Sequence, residues 1–312
     1  MRRLYSYSRR NILDRCLRQY FFDYYASAKQ CQISEESKAY IRRLKAFSNC
    51  ALLAGDILHR FAKLHVARED ISPEWLERTA LAAYDEAIGF ARDPKAHTSL
   101  LQNRFPPKEL VEFSYAGLDG EKAADTARRS LETALHNLFY GDTVHVLFAS
   151  LEGYELYPEK RLSGLKCKNW SISGQIDLLA VGKHQCNVID WKLGGKERGA
   201  DSLQLYIYGW FASAFAKLDR QTVHVQRVFL RDNFVEDPQT IDDGNHVGHA
   251  RLLQDIELME ELHGYGCQGR EEVFRKCNHE GICQRCKYKT LCHKIPLGER
   301  SLVTSVSSPV TV

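Results

Sequence analysis

Two short apolar runs, "GQIDLLAVG" and "CNVIDWK", carry Asp177 near the start of one and Asp190 near the end of the other, with Lys192 two residues beyond. A charge taken out of water without a partner is costly, so strand tips that gather two carboxylates and an ammonium need a ligand or a solvated edge. Phosphodiester hydrolysis supplies such a ligand. It uses a divalent cation to polarise the phosphate and lower the pKa of an attacking water, and hard cations such as Mg²⁺ or Mn²⁺ take carboxylate oxygens. Asp177 and Asp190, on successive strands joined by the turn "VGKHQ", are placed to converge on one ion. Strand side chains alternate, so Lys192 faces the same side as Asp190, where its ammonium can offset developing charge or orient the water. Glu159 in "YPEKRL" is a further candidate acid, but Glu152 and Glu155 compete with it, and a solvated strand face is the plainer expectation for it.

A second chemistry-bearing stretch is "CNHEGICQRCKYKTLC", which places Cys277, Cys283, Cys286 and Cys292 within sixteen residues. Two thiolates three residues apart clamp one metal centre without strain. Zinc would be satisfied locally by these four cysteines, with His279 or His293 as substitutes. An iron–sulfur cluster also takes four thiolates. Both centres stay open on the residues alone.

The elements that must position these groups fall into two halves. "RNILDRCLRQYFFDYY" has helical apolar spacing, and residues 38–68 and 74–92 read as long amphipathic helices, with Leu44, Phe47, Leu52 and Leu58 keeping the period in the first. Proline and glycine punctuate "RDPKAHTS", "RFPPKE" and "AGLDGEK" before a further helix at about 120–140. From Val144 the period changes to short alternating or β-branched runs, which read as strands. Residues 199–218 return to a helical pattern, "VHVQRVFLRD" is a strand again, and 246–263 is a helix. The order is that of an α/β protein. It divides into an arm over 1–37, a helical region over 38–143, a core over 144–235, a helix and cysteine segment over 236–300, and a loose tail over 301–312.

The totals are those of a soluble globular chain: 312 residues, 44% apolar and 27% charged. A formal net charge of +3 decides little, but the arginines crowd the first 18 residues and a second basic group, Arg270, Arg275, Lys276, Arg285, Lys287, Lys289 and Lys294, surrounds the cysteines. No apolar run approaches the roughly 20 residues that span a bilayer, and the Arg-rich start is not followed by an apolar signal-peptide stretch. A cytoplasmic protein without a membrane partner is expected, and in a reducing compartment ten cysteines point to metal ligands before disulfides.

Taken in order, the motifs resemble the PD-(D/E)XK nuclease superfamily in its RecB-like branch. "GQID" is similar to that branch's G-x-I-D strand, "IDWK" to its D-x-K strand, "LQLYIYGW" to its Q-x-x-x-Y helix through Gln204 and Tyr208, and "AGDILHRF" to its G-x-x-x-H helix through His59. The resemblance implies a restriction-endonuclease-like core, a central mixed sheet flanked by helices. It puts His59, Asp177 and Asp190 on Mg²⁺ or Mn²⁺, Lys192 at the attacking water, and Gln204 and Tyr208 on the DNA backbone or bracing the lysine. The bland alternative is that the aromatic residues of that helix only pack it against the sheet. No literal Pro-Asp precedes the second acid.

The cysteines are similar to those of the iron–sulfur nucleases of that branch, among them the CRISPR-associated single-strand exonucleases, the AddB nuclease domain and exonuclease V. There one cysteine before the core joins three after it spaced C-x₂-C-x₅-C. Cys16 stands where the lone cysteine belongs, so the resemblance implies a [4Fe–4S] cluster on Cys16, Cys283, Cys286 and Cys292, closing a loop of more than 250 residues. Cys277 departs from the pattern and keeps Zn²⁺ as the alternative. Cys31, Cys50, Cys167, Cys186 and Cys267 have no assigned role.

The function so implied is a metal-dependent DNA nuclease, a single-strand exonuclease, in DNA repair or antiviral defence. The helical region is a candidate cap through which a strand threads, with Arg92 and Arg104 on phosphates; a supporting layer is its alternative. Rivals are a catalytically silent DNA-binding or adaptor subunit acting beside a helicase, an integrase or another nuclease-complex subunit, and a zinc-ribbon nucleic-acid binder.

Overall fold

The computed structural model describes residues 3–68, 70–94, 108–195, 202–241 and 246–293. The tail 301–312, Arg104 and Lys294 lie outside them.

The chain enters through a short strand β1 (Leu4–Tyr5) and helices α1 (Tyr7–Arg15) and α2 (Leu17–Phe21), the second running on into a π-helical turn, Phe22–Ala26. Ser6 starts α1 by accepting from the Arg9 amide, and the helix breaks at Cys16, whose backbone is extended. The single helix expected over 38–68 is two, α3 (Glu35–Lys45) and α4 (Cys50–Ala67). Local polar chemistry overrides the apolar period there. Ser48 pairs its backbone with Glu109 and Val111, and the Asn49 side chain accepts from the Leu52 amide to begin α4 afresh. As a result Leu52, one of the periodic residues, faces water.

Helix α5 (Pro73–Arg92) opens on a Ser72 cap with proline at its first position, and α6 (Val111–Ser114) and α7 (Gly120–Tyr140) follow. The strand expected from Val144 is wrong. Residues Asp142–Ser150 form a helix, α8, because Val144, Leu147 and Leu151 fall on one buried face at helical spacing while Val146 is 70% exposed.

The strands begin at β2 (Glu155–Arg161), followed by β3 (Lys166–Cys167), β4 (Trp170–Ile172), β5 (Gln175–Val181) and β6 (Cys186–Lys192). Helix α9 (Ser202–Ala216) then crosses to β7 (Val223–Phe229), flanked by β8 (Phe234–Val235) and β9 (Gln239–Thr240). Helices α10 (His246–Cys267), α11 (Glu280–Gln284) and α12 (Lys289–His293) end the described chain. The main sheet runs β2-β5-β6-β7-β8, antiparallel throughout except for the parallel β6–β7 pair that α9 connects. A small sheet, β1-β4-β3, ties the N-terminal arm beside it.

Each face of the main sheet buries its own core. Val188, Val223 and Val225 pack with α9, α10 and the two chain ends, whereas Leu178, Ala180, Ile189, Trp191 and Val228 pack with α4, α5, α7 and α8. A sheet covered on both sides reads as nearly continuous apolar sequence, so a charged residue inside it has to be explained. Among the described residues no helix is long and apolar enough to cross a membrane.

Candidate active site and cysteine centre

Three acids stand in one row across the sheet. Strands β2 and β5 pair Pro158 with Leu178 and Lys160 with Ile176, which sets Glu159 opposite Asp177. Strands β5 and β6 pair Leu178 with Ile189, and one step further sets Asp177 opposite Asp190. There the ladder gives way: the Trp191 amide donates to Asp177 Oδ2 at 2.8 Å, so the carboxylate replaces a strand carbonyl and is held in place. Glu159 has φ 55°, a left-handed backbone that is costly for a residue with a side chain, and strain of that kind gathers where a side chain must be aimed. Its other oxygen accepts from Gln175. The solvated face expected for Glu159 is therefore not where it lies.

His59 arrives from α4, which lies against β2 and β5. Its Nδ1 is 3.1 Å from Asp177 Oδ1 and 3.8 Å from Glu159 Oε1. Burial pulls the imidazolium pKa down, but the hydrogen bonds to the two carboxylates outweigh it and raise the pKa to about 10. One ligand atom each from His59, Glu159 and Asp177 lies within 4.8 Å of the other two.

Asp190, only 1% exposed, stands beside this trio and turns to the lysine. Lys192 Nζ lies 2.5 Å from Asp190 Oδ2 and donates to Gln204 Oε1 at 3.0 Å. Gln204 in turn donates to Asp190 Oδ1 at 3.1 Å and to the Tyr208 hydroxyl at 3.0 Å. One turn of α9 brings 204 and 208 to the same side, so the helix acts as a splint along Asp190 and Lys192. Burial raises the Asp190 pKa against the pull of Lys192, and burial also raises that of Tyr208, which keeps its proton. Asp190 Oδ2 is buried, and the partner it has is the Lys192 ammonium. His59, Glu159, Asp177, Gln204 and Tyr208 border a cleft of about 870 Å³, whose lining also carries Arg60, Lys63 and Arg161.

The profile of the PD-(D/E)XK nuclease superfamily matches residues 5–293. The chain belongs to that superfamily. The match covers the helical half, the mixed sheet and the cysteine segment together, and the architecture is the restriction-endonuclease-like one of PD-(D/E)XK nucleases. No curated protein matches the chain. A solved structure titled "Crystal structure of SSO0001" is 13% identical, with a TM-score of 0.28 over 78% of this chain and 97% of that one.

PD-(D/E)XK nucleases work with divalent metals, and the donors here suit one: an imidazole and two carboxylates on one cleft wall. The three metal residues expected were His59, Asp177 and Asp190. The structure gathers the first two with Glu159, and it keeps Asp190 with Lys192. Arg92, expected on a phosphate, is exposed and pairs with Glu121 at 2.5 Å.

The cysteines gather where the two chain ends meet. The Arg18 amide donates to Arg275 O at 3.1 Å, its Nε donates to Phe274 O at 2.7 Å, and its guanidinium pairs with Glu271. The Tyr288 hydroxyl donates to Asp23 Oδ1 at 2.7 Å and Lys287 Nζ lies 2.9 Å from the same oxygen, while Phe21 and Phe22 pack on Phe274 and Tyr288. Cys16, offered at the break between α1 and α2, is close enough to Cys286 and Cys292 to oppose their ionisation. Burial is the larger cause, pushing those two thiols up to about 11 and about 12. Cys283 Sγ lies 3.5 Å from Cys277 Sγ. All ten cysteines are free thiols.

Proposed function

We propose that this PD-(D/E)XK nuclease is a single-strand DNA exonuclease using Mg²⁺ or Mn²⁺ and carrying a structural [4Fe–4S] cluster. The observation that carries the reading is the row Glu159–Asp177–Asp190, with His59 beside its first two acids on the cleft and Lys192 paired with the third. His59, Asp177 and Asp190 hold the cation, with Glu159 as an additional ligand. When bound, the ion polarises the phosphate and lowers the pKa of water. Lys192, steered by Gln204, presents its ammonium where negative charge develops, and Tyr208 keeps the amide of Gln204 from turning. Arg60, Lys63 and Arg161 in the lining suit the phosphates of a strand entering the cleft.

The cluster reading draws support from Cys16, which reaches the same corner as Cys286 and Cys292 across nearly the whole chain. The 3.5 Å between Cys277 Sγ and Cys283 Sγ is near the sulfur spacing of tetrahedral zinc, about 3.8 Å, and keeps Zn²⁺ as the alternative. A helicase or integrase partner fits such a nuclease.

The test is degradation of end-labelled single-stranded DNA with Mn²⁺ by the native chain, Asp190→Ala and Lys192→Ala. Loss in both variants is expected; undiminished cleavage by either refutes the assigned chemistry. Covalently closed single-stranded circles should resist, and equal cleavage of circles and linear strands refutes the exonuclease reading. Iron, sulfide and zinc contents of anaerobically purified protein decide the cluster.

A further inference from the structure

The ligand set Cys16, Cys283, Cys286 and Cys292 leaves Cys277 without a role, yet Cys277 is the thiol that touches one of the four. Its Sγ is 3.5 Å from that of Cys283, at van der Waals contact, and Cys283 Sγ also lies 3.8 Å from the Cys277 carbonyl oxygen. Both residues are half-buried, within reach of a small oxidant. Cys277 lies in the irregular stretch that leads into α11, and Cys283 lies in that five-residue helix. A disulfide requires the sulfurs to close to about 2.05 Å, and side-chain rotation plus a small shift of the irregular stretch supplies the difference. The loop to be closed spans only residues 277–283, so its entropic cost is small.

We propose that Cys277 and Cys283 form an intramolecular disulfide whenever the metal centre is empty and a hydroperoxide is present, shielding Cys283 from irreversible oxidation and holding it in a recoverable state. The Cys283 thiolate attacks a peroxide oxygen and becomes a sulfenic acid, while the O–O bond breaks and the other oxygen leaves as water or alcohol. The Cys277 thiolate then attacks that sulfur, the S–S bond forms and the S–O bond breaks, and the departing hydroxide takes up the proton the thiol released on ionising to become water. Two thiols are thus oxidised by two electrons and one peroxide is reduced. Without Cys277 the sulfenic acid of Cys283 goes on to the sulfinic and sulfonic acids, which thiols do not reverse. Cys277 is in this sense a resolving residue placed beside a ligand. The disulfide stands on the thiol geometry alone, and only its consequence for loading rests on the cluster reading.

The experiment uses the full chain stripped with an iron chelator, treated with hydrogen peroxide, alkylated and mapped by mass spectrometry, for the native protein and Cys277→Ser. The native chain should give a 277–283 linked peptide two hydrogens lighter than its reduced form, and dithiothreitol should restore its iron and sulfide uptake in full. Cys277→Ser should load normally before peroxide, then give sulfinic or sulfonic acid at Cys283 and lose most of its uptake even after dithiothreitol. Alkylated Cys277 in the peroxide-treated native chain, a disulfide joining other cysteines, or equal overoxidation of Cys283 in both proteins overturns the inference. A metal-poor Cys277→Ser before any oxidation also overturns it, by making Cys277 a ligand. Zinc without iron in the untreated protein refutes the cluster reading instead, and the peptide map still decides the disulfide.

Discussion

Gln204 is the residue whose removal most directly tests how this site orients its lysine. Its single amide binds three partners, accepting from Lys192 and donating to Asp190 and Tyr208, at 3.0, 3.1 and 3.0 Å. Gln204→Ala deletes two hydrogen bonds to charged groups, each worth about 1.5–3 kcal/mol in a buried setting. Lys192 is 33% exposed and water replaces much of what it loses, so most of the cost falls on Asp190, which is buried. We expect about 2–3 kcal/mol in the barrier, roughly 30- to 150-fold in kcat, from an ammonium free to swing away from the developing charge. Tyr208→Phe removes one neutral hydrogen bond and should cost about 1 kcal/mol, near fivefold. If Tyr208 acts only by holding Gln204, the double variant is no slower than Gln204→Ala, because the bond is already gone. Initial rates on single-stranded DNA at saturating Mn²⁺, with far-ultraviolet circular dichroism to verify folding, measure all three. Strictly additive losses refute the splint and put the Tyr208 hydroxyl on the substrate. A Gln204→Ala enzyme with native kcat refutes the need for orientation.

Two further outcomes follow from charges the fold has buried. His59 has a metal-free pKa of about 10 against an ordinary 6.5, so its protonated form stabilises the fold fully below about pH 6.5, and that contribution is lost as pH rises through about 10. A cation requires neutral imidazole, so Mn²⁺ binding at pH 7 should release roughly one proton per ion, read by calorimetry in buffers of differing ionisation enthalpy; release undiminished in His59→Gln refutes the assignment. At the other site, Tyr288→Phe takes a hydrogen bond from Asp23, which is 3% exposed and retains Lys287 and Gln19. Urea unfolding of the metal-loaded protein should show a loss of roughly 1.5–3 kcal/mol with unchanged metal content, and no loss refutes the role of that corner in joining the chain ends.

The part of the site legible in the sequence is the part that local geometry dictates. Asp190 and Lys192 share a face because strands alternate, and Gln204 and Tyr208 share one because four residues make about a helical turn. Glu159 was legible only as one candidate among Glu152, Glu155 and Glu159. Its place depends on which residue of β2 meets Asp177 and on a left-handed backbone angle, and neither is encoded within the few residues around it. The break between α3 and α4 escaped notice for a similar reason, since the partner of Ser48 lies some sixty residues away in the chain. Helix α8 was misread because β-branched valines signal strand locally, while the burial of Val144, Leu147 and Leu151 is a tertiary fact.

The way His59 is delivered shows why a helical half this large accompanies a small sheet. The imidazole sits on α4 next to Ile57 and Leu58, both fully buried, and α4 packs against α5 and α7 in the core beneath one face of the sheet. No backbone hydrogen bond of the main sheet holds α4, so its register against β2 is set by apolar packing. Packing at interior density transmits displacements, and a truncation such as Leu→Ala at a buried position costs about 2–5 kcal/mol. The acids are fixed by strand pairing and the histidine by helix packing, two independent scaffolds that meet at one cleft. A change in the helical core far from the cleft therefore acts on the site by moving the imidazole against a fixed row of carboxylates.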